Sequence, residues 1–137
     1  LPTSVISPIS TPIPQNNPRV FYIPLVNTGS SVATDWTDVT ASDFYFNLAD
    51  YLGVKSVRWE IYLKAVTGSG PVSVRLYDVT NKRGVDYSDF TTQSSTYSYL
   101  QSANLSIWQG NNLYRVQLKS GNGTEANLGT GRLKIIY

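Results

Sequence analysis

Nine carboxylates, with no histidine and no cysteine, are the reactive groups this 137-residue sequence offers. They are Asp35, Asp38, Asp43, Asp50, Glu60, Asp78, Asp86, Asp89 and Glu125. A two-carboxylate hydrolytic pair could be drawn from such a set. Most of the nine, however, stand beside turns, where aspartate bonds its own backbone. Serine is plentiful, but without histidine a serine nucleophile would need a lysine base that no motif identifies. The expectation is a protein that is not an enzyme and needs no cofactor. Asp78, Asp86 and Asp89 flank one loop, and Asp35, Asp38 and Asp43 another. Carboxylates with loop carbonyls suit calcium, yet neither spacing matches a defined calcium loop. Asp78, Asp86 and Asp89 are weak calcium candidates beside the plainer reading as solvated turn residues.

The aromatic side chains point to a second chemistry. Three tryptophans, ten tyrosines and four phenylalanines could stack on pyranose faces if enough of them lie flat and exposed. Trp59 belongs to the core by parity, and Tyr45, Tyr62 and Tyr77 could face either way. Trp36, Trp108, Tyr87, Tyr97 and Tyr99 are the candidates for sugar stacking. Against this, rings on strands are more often core or cross-strand partners. Two acceptor sequons, Asn104-Leu-Ser and Asn122-Gly-Thr, are candidate glycosylation sites. Asn104 is out of phase with Leu105 and Ile107, and Asn122 lies in a glycine-rich loop.

The elements that would carry these groups are strands. VKSVRWEIYLKAV puts Val57, Trp59, Ile61, Leu63 and Ala65 on one face and Arg58, Glu60, Tyr62 and Lys64 on the other. VSVRLY follows after Gly-Ser-Gly-Pro, with Val72, Val74 and Leu76 inward, so the two runs read as a hairpin. Further strands are expected at RVFYIPLV, DFYFNL, STYSYLQ, NLSIW, NLYRVQLK and RLKIIY, separated by loops that include SGNGTEANLGTG. One helical turn fits 48–52. About eight short strands predict an all-β antiparallel sandwich over residues 19–137, jelly-roll-like in preference to immunoglobulin-like.

VSVRLYDVTN and the later LYRVQLKSGNGTEANLGTGRLKIIY resemble β-sandwich modules of secreted bacterial and archaeal surface proteins and of phage tail proteins. The likeness spans residues 54–137 and implies the fold. It transfers no functional residue, because such modules serve as stalks, adhesins and sugar binders alike.

Residues 1–18 form an extended, Pro-rich N-terminal arm in this reading. Prolines stand at 2, 8, 12, 14, 18 and 24, all even. Successive residues of a strand point their amides to opposite flanks, so prolines of one parity remove donors from one flank only. Pro8, Pro12 and Pro14 strip the even flank, while Val5, Ile9 and Ile13 share a face and keep their amides; Ile6 adds a further apolar contact. Such a segment can pair along one margin but cannot serve as an internal strand. Restricted φ angles also lower the entropy lost on docking. The competing reading is a Pro/Ser/Thr linker between secreted modules.

A net charge of +2 from 11 basic and 9 acidic residues, with no basic run, argues against a nucleic-acid partner. No apolar run approaches a membrane span. The first residue is Leu1, and together with the Ser/Thr/Asn-rich, lysine-poor composition this suggests a secreted product with its signal peptide removed. The expectation is a structural subunit of an extracellular, self-assembling filament, a head-to-tail homopolymer in which the arm is donated to a neighbour. The alternatives are a carbohydrate-binding or adhesive module with glycan partners, and a phage or viral coat or decoration protein.

Overall fold

Strict alternation of large apolar and polar side chains commits Val57, Trp59, Ile61, Leu63 and Ala65 to one face of a long strand, and all five are buried. The computed structural model describes residues 19–67 and 70–137. The arm residues Val5, Ile6, Pro8, Ile9, Pro12, Ile13 and Pro14 lie outside the described residues. The strands are β1 (Val20–Val26), β2 (Gly29–Ser31), β3 (Thr37–Asp38), β4 (Phe44–Phe46), β5 (Ser56–Ala65) and β6 (Val72–Asp78). They continue with β7 (Arg83–Gly84), β8 (Phe90–Thr92), β9 (Ser98–Gln101), β10 (Asn112–Ser120) and β11 (Ala126–Ile136), and a 3₁₀ turn covers Leu48–Asp50.

Two antiparallel sheets face each other across the core. The first runs β1-β11-β5-β9, with β2 continuing the β1 lane along β11. The second runs β3-β10-β6-β7, with β4 continuing the β3 lane and β8 the β7 lane. Counted as lanes in chain order, the sheets read 1-8-3-6 and 2-7-4-5, the order of a jelly roll. The expected β-sandwich is therefore observed, and its topology is the jelly roll.

The expected hairpin is not. β5 pairs with β11 and β9, whereas β6 pairs with β10, β7 and β8, so the chain crosses from one sheet to the other after Ala65. Both strands still turn their apolar residues inward, because a crossing and a hairpin impose the same alternation. NLSIW forms no strand either. Leu105 sends its amide to the Val57 carbonyl (2.8 Å), leaving this stretch as an irregular connection that packs Leu105 and Ile107 against the core. Conversely, half of the expected SGNGTEANLGTG loop is strand. β11 begins at Ala126 and shifts register between Leu128 and Gly131, which changes the inward phase from even to odd residues.

Trp59 fills the centre, stacked on Phe90 at 5.5 Å, with its indole N–H donating to the Ser88 carbonyl at 3.0 Å. Two buried serines repair the second sheet where its outer lanes break. In Val39-Thr40-Ala41-Ser42, the Val39 amide bonds the Val116 carbonyl (2.9 Å). Ala41 turns left-handed (φ 60°), and the Ser42 hydroxyl accepts the Val116 amide (3.0 Å) and donates to the Val39 carbonyl (2.7 Å). Val85-Asp86-Tyr87-Ser88 repeats the device. Val85 bonds the Leu76 carbonyl (2.9 Å), Tyr87 has φ 69°, and the Ser88 hydroxyl accepts the Leu76 amide (3.1 Å) and donates to Val85 (2.6 Å). Val116 and Leu76 are partners across β10 and β6, so both lanes break at one row.

Candidate functional site

On the solvent face of the first sheet, cross-strand pairing sets Glu60 of β5 opposite Arg132 of β11 and Gln101 of β9, and Tyr62 opposite Tyr99. Parity places Glu60 outward, yet it is only 3% exposed. Arg132 covers it, donating from Nε to Oε2 at 2.8 Å. Lys134 Nζ lies 3.9 Å from the other oxygen, and Tyr99 lines the same depression beside the carboxylate. Burial pushes the Glu60 carboxyl up, but the bond from Arg132 and the nearby cations outweigh it and hold it below the ordinary range. Tyr99 moves the other way: desolvation and the adjacent carboxylate raise its hydroxyl to about 12.

Around this anchored pair lies a depression of about 280 Å³ lined by Glu60, Tyr62, Tyr99, Thr130 and Arg132. The Tyr62 and Tyr99 rings are 5.3 Å apart, the Arg132 guanidinium lies 3.7 Å above the Tyr22 ring, and Lys64 sits over Tyr97 at 4.6 Å. Of the five expected stacking residues, the structure gathers Tyr97 and Tyr99 here. The other three lie elsewhere. Trp36 immediately precedes β3, with Arg75 and Lys119 of the second sheet over its ring. Trp108 lies beneath Arg83 at 4.0 Å, and Tyr87 stands on the β7–β8 connection, 70% exposed. Glu60, Arg132, Tyr22 and Tyr62 went unmarked in the sequence as site residues. Their one legible signal is a lone glutamate on a face otherwise rich in lysine, arginine and tyrosine.

The aspartates expected as weak calcium candidates are engaged otherwise. Asp78 is buried and accepts the Asn81 amide (3.0 Å) and side-chain amide (2.7 Å). Arg83 lies 4.0 Å from Asp78 and 3.6 Å from Asp86, and the charge of Asp89 acts on Arg75. Asp38 and Asp43 both hold Arg115, at 2.7 and 3.1 Å. Among the described residues no group of three potential ligands could hold a metal ion. The sequons are both exposed: Asn104 accepts from Arg58 Nε at 3.0 Å, and Asn122 accepts the Thr124 amide and hydroxyl.

A second feature lies at the margin of the same sheet. β1 pairs with β11 on one side, and no described strand covers its other side. Pro24 stands opposite Arg132 and has no amide to give, so the alternation of an antiparallel pair makes Phe21 and Ile23 the bonding residues. The Tyr137 amide bonding the Arg19 carbonyl at 2.9 Å continues that odd set. Val20, Tyr22 and Pro24 thus turn their backbone toward the open flank. At the start of β1, Val20, Phe21 and Leu52 are 41, 52 and 87% exposed, around a hollow of about 400 Å³ shared with Arg19 and Tyr137.

Among the described residues no helix is long and apolar enough to cross a membrane. The sequence matches no protein-family model and no curated protein sequence. Solved structures similar to it include the following two. A structure from work on Bacillus endospore appendages, disulfide-linked pili, is 15% identical with a TM-score of 0.45 over 88% of this chain and 89% of that one. The CBM22-1 xylan-binding domain of a Paenibacillus barcinonensis protein is 16% identical with a TM-score of 0.40 over 83% of this chain and 85% of that one.

Proposed function

We propose that this protein is the structural subunit of an extracellular filament, and that residues 1–18 of each copy pair with an open sheet margin of the next. The observation that carries this reading is Pro24. It sits in an edge strand with its donor-less flank turned away from β11, and prolines 2, 8, 12, 14 and 18 share its parity. An extended arm continuing β1 would bond along its odd flank, bury Val5, Ile9 and Ile13 on a neighbour, and remain unable to recruit a further strand on its even flank. The exposed apolar side chains of Val20, Phe21 and Leu52 add surface that a second copy can cover. A head-to-tail contact of this kind propagates unless its rotation closes a ring.

The test compares the full chain with a chain beginning at Arg19, by electron microscopy and sedimentation. Filaments from the full chain, and a folded monomer with unchanged circular dichroism from the shorter one, are expected. Filaments from the chain lacking residues 1–18 would refute the donated arm.

A further inference from the structure

The two outer faces of the sandwich carry different charge. On the second sheet, Arg75, Arg115 and Lys119 are set against Asp38, Asp43 and Asp89, so the charges balance within the face. Arg115 is clamped by two carboxylates, and Arg75 donates to Gln117 at 2.9 Å. On the first sheet, the paired rows of β11 and β5 bring out Arg58, Lys64, Arg132 and Lys134 against Glu60 alone. Four cations and one carboxylate leave this face three charges positive.

We propose that the outer face of the first sheet is a binding cleft for an acidic polysaccharide, a hexopyranose chain bearing carboxylates. This goes beyond the filament reading and does not depend on it. Three features converge on that ligand. The half-exposed rings of Tyr62 and Tyr99 rim the 280 Å³ depression and offer apolar faces to the C–H faces of a sugar ring. Arg132 spends only Nε on Glu60, and its side chain is 43% exposed. Its terminal nitrogens therefore remain as a fork of the geometry that fits a carboxylate. Glu60 lies beneath and holds Arg132 and Lys134 together beside Tyr99, so the cleft is ordered before any ligand arrives. A neutral chain would leave the surplus charge unused, and a simple polyanion would leave the tyrosines unused. Glu60 is a positioning residue in this scheme, since it meets the ligand only through Arg132.

Calorimetric titration of the full chain separates these alternatives with three probes: polygalacturonate, the same polymer fully methyl-esterified, and polyglutamate. Polygalacturonate is expected to bind, and esterification is expected to weaken binding about tenfold or more. Polyglutamate should bind no better than the ester. Arg132→Gln and Tyr62→Leu should each weaken polygalacturonate binding about tenfold, and Arg132→Lys, which keeps the charge but not the fork, should fall well short of the parent. Melting curves establish that each variant is folded, and Lys64→Gln, at the rim, supplies a milder version of the charge test. Equal binding of polyglutamate, equal binding of the ester, or affinity unmoved in folded Arg132→Gln and Tyr62→Leu overturns the proposal. Failure to bind polygalacturonate at millimolar uronate does so as well.

Discussion

Replacing Glu60 with glutamine removes one charge from a site that holds two cations. Oε2 accepts Arg132 Nε at 2.8 Å, Lys134 lies 3.9 Å from Oε1, and Tyr99 lines the depression beside the carboxylate. Glutamine keeps one acceptor, and its amide nitrogen then faces a donor. A fully buried pair broken on one side is worth several kcal/mol. Arg132 is 43% exposed, so water and salt screen part of that loss, and hydrogen bonds to a charged group set the scale at about 2 kcal/mol. With an unfolding entropy of about 2.1 cal/mol/K per residue, Tm should fall by about 7 °C at neutral pH. The pH dependence fixes the sign. The Glu60 carboxyl is held below its ordinary 4.5 in the folded protein, so its contribution is complete above that value and is lost as pH falls through the lower folded value. Urea or thermal unfolding of parent and variant across pH 7 to 2.5 should show a constant gap above about pH 4.5 that narrows in acid. The other acids are common to both proteins and cancel. A gap that persists undiminished at pH 2.5 would mean that glutamine disturbs packing rather than charge. Absence of a gap at pH 7 would remove Glu60 as the organiser of the face.

Ser88→Ala leaves the Leu76 amide without its buried partner, while the Val85 carbonyl keeps the residue-88 amide, and should cost about 1–3 kcal/mol, measured by urea unfolding, with faster hydrogen exchange at Leu76. Ala41→Gly relieves a left-handed alanine with φ 60° and should raise stability by up to about 1 kcal/mol; a destabilised variant would contradict the strain assigned there.

Much of the sandwich was legible because burial is an alternation. Every inward residue of β5 and β6 follows from period two, and Trp59, Ile61, Val72, Val74 and Leu76 are all buried as expected. Alternation says which way a side chain faces and is silent about which strand lies beside it. For that reason the β5–β6 crossing between sheets read as a hairpin. Period two also fails where register slips: the shift between Leu128 and Gly131 hid the first six of the eleven residues of β11 inside an apparent loop. The site suffered from the same silence. Tyr97 and Tyr99 were marked as exposed rings, but Glu60 and Arg132 are 72 residues apart, and only strand pairing makes them neighbours.

The margins of the sandwich are unequal, and this gives the proposed polymer a direction. Among the described residues, the lanes flanking the second sheet are broken into strands of two or three residues, β3 with β4 and β7 with β8. At each break the backbone turns left-handed and a serine hydroxyl closes the ladder inward. Short, kinked margins are poor templates for an added strand. On the first sheet, β9 offers four residues and β1 seven, and β1 leads back toward the prolines. A filament needs one margin that accepts and others that refuse, because two equally receptive edges would branch or aggregate. Blunting both sides of one sheet, and removing a donor from the open flank of β1 at Pro24, leaves the four-residue margin of β9 to accept and meets that requirement within a single chain.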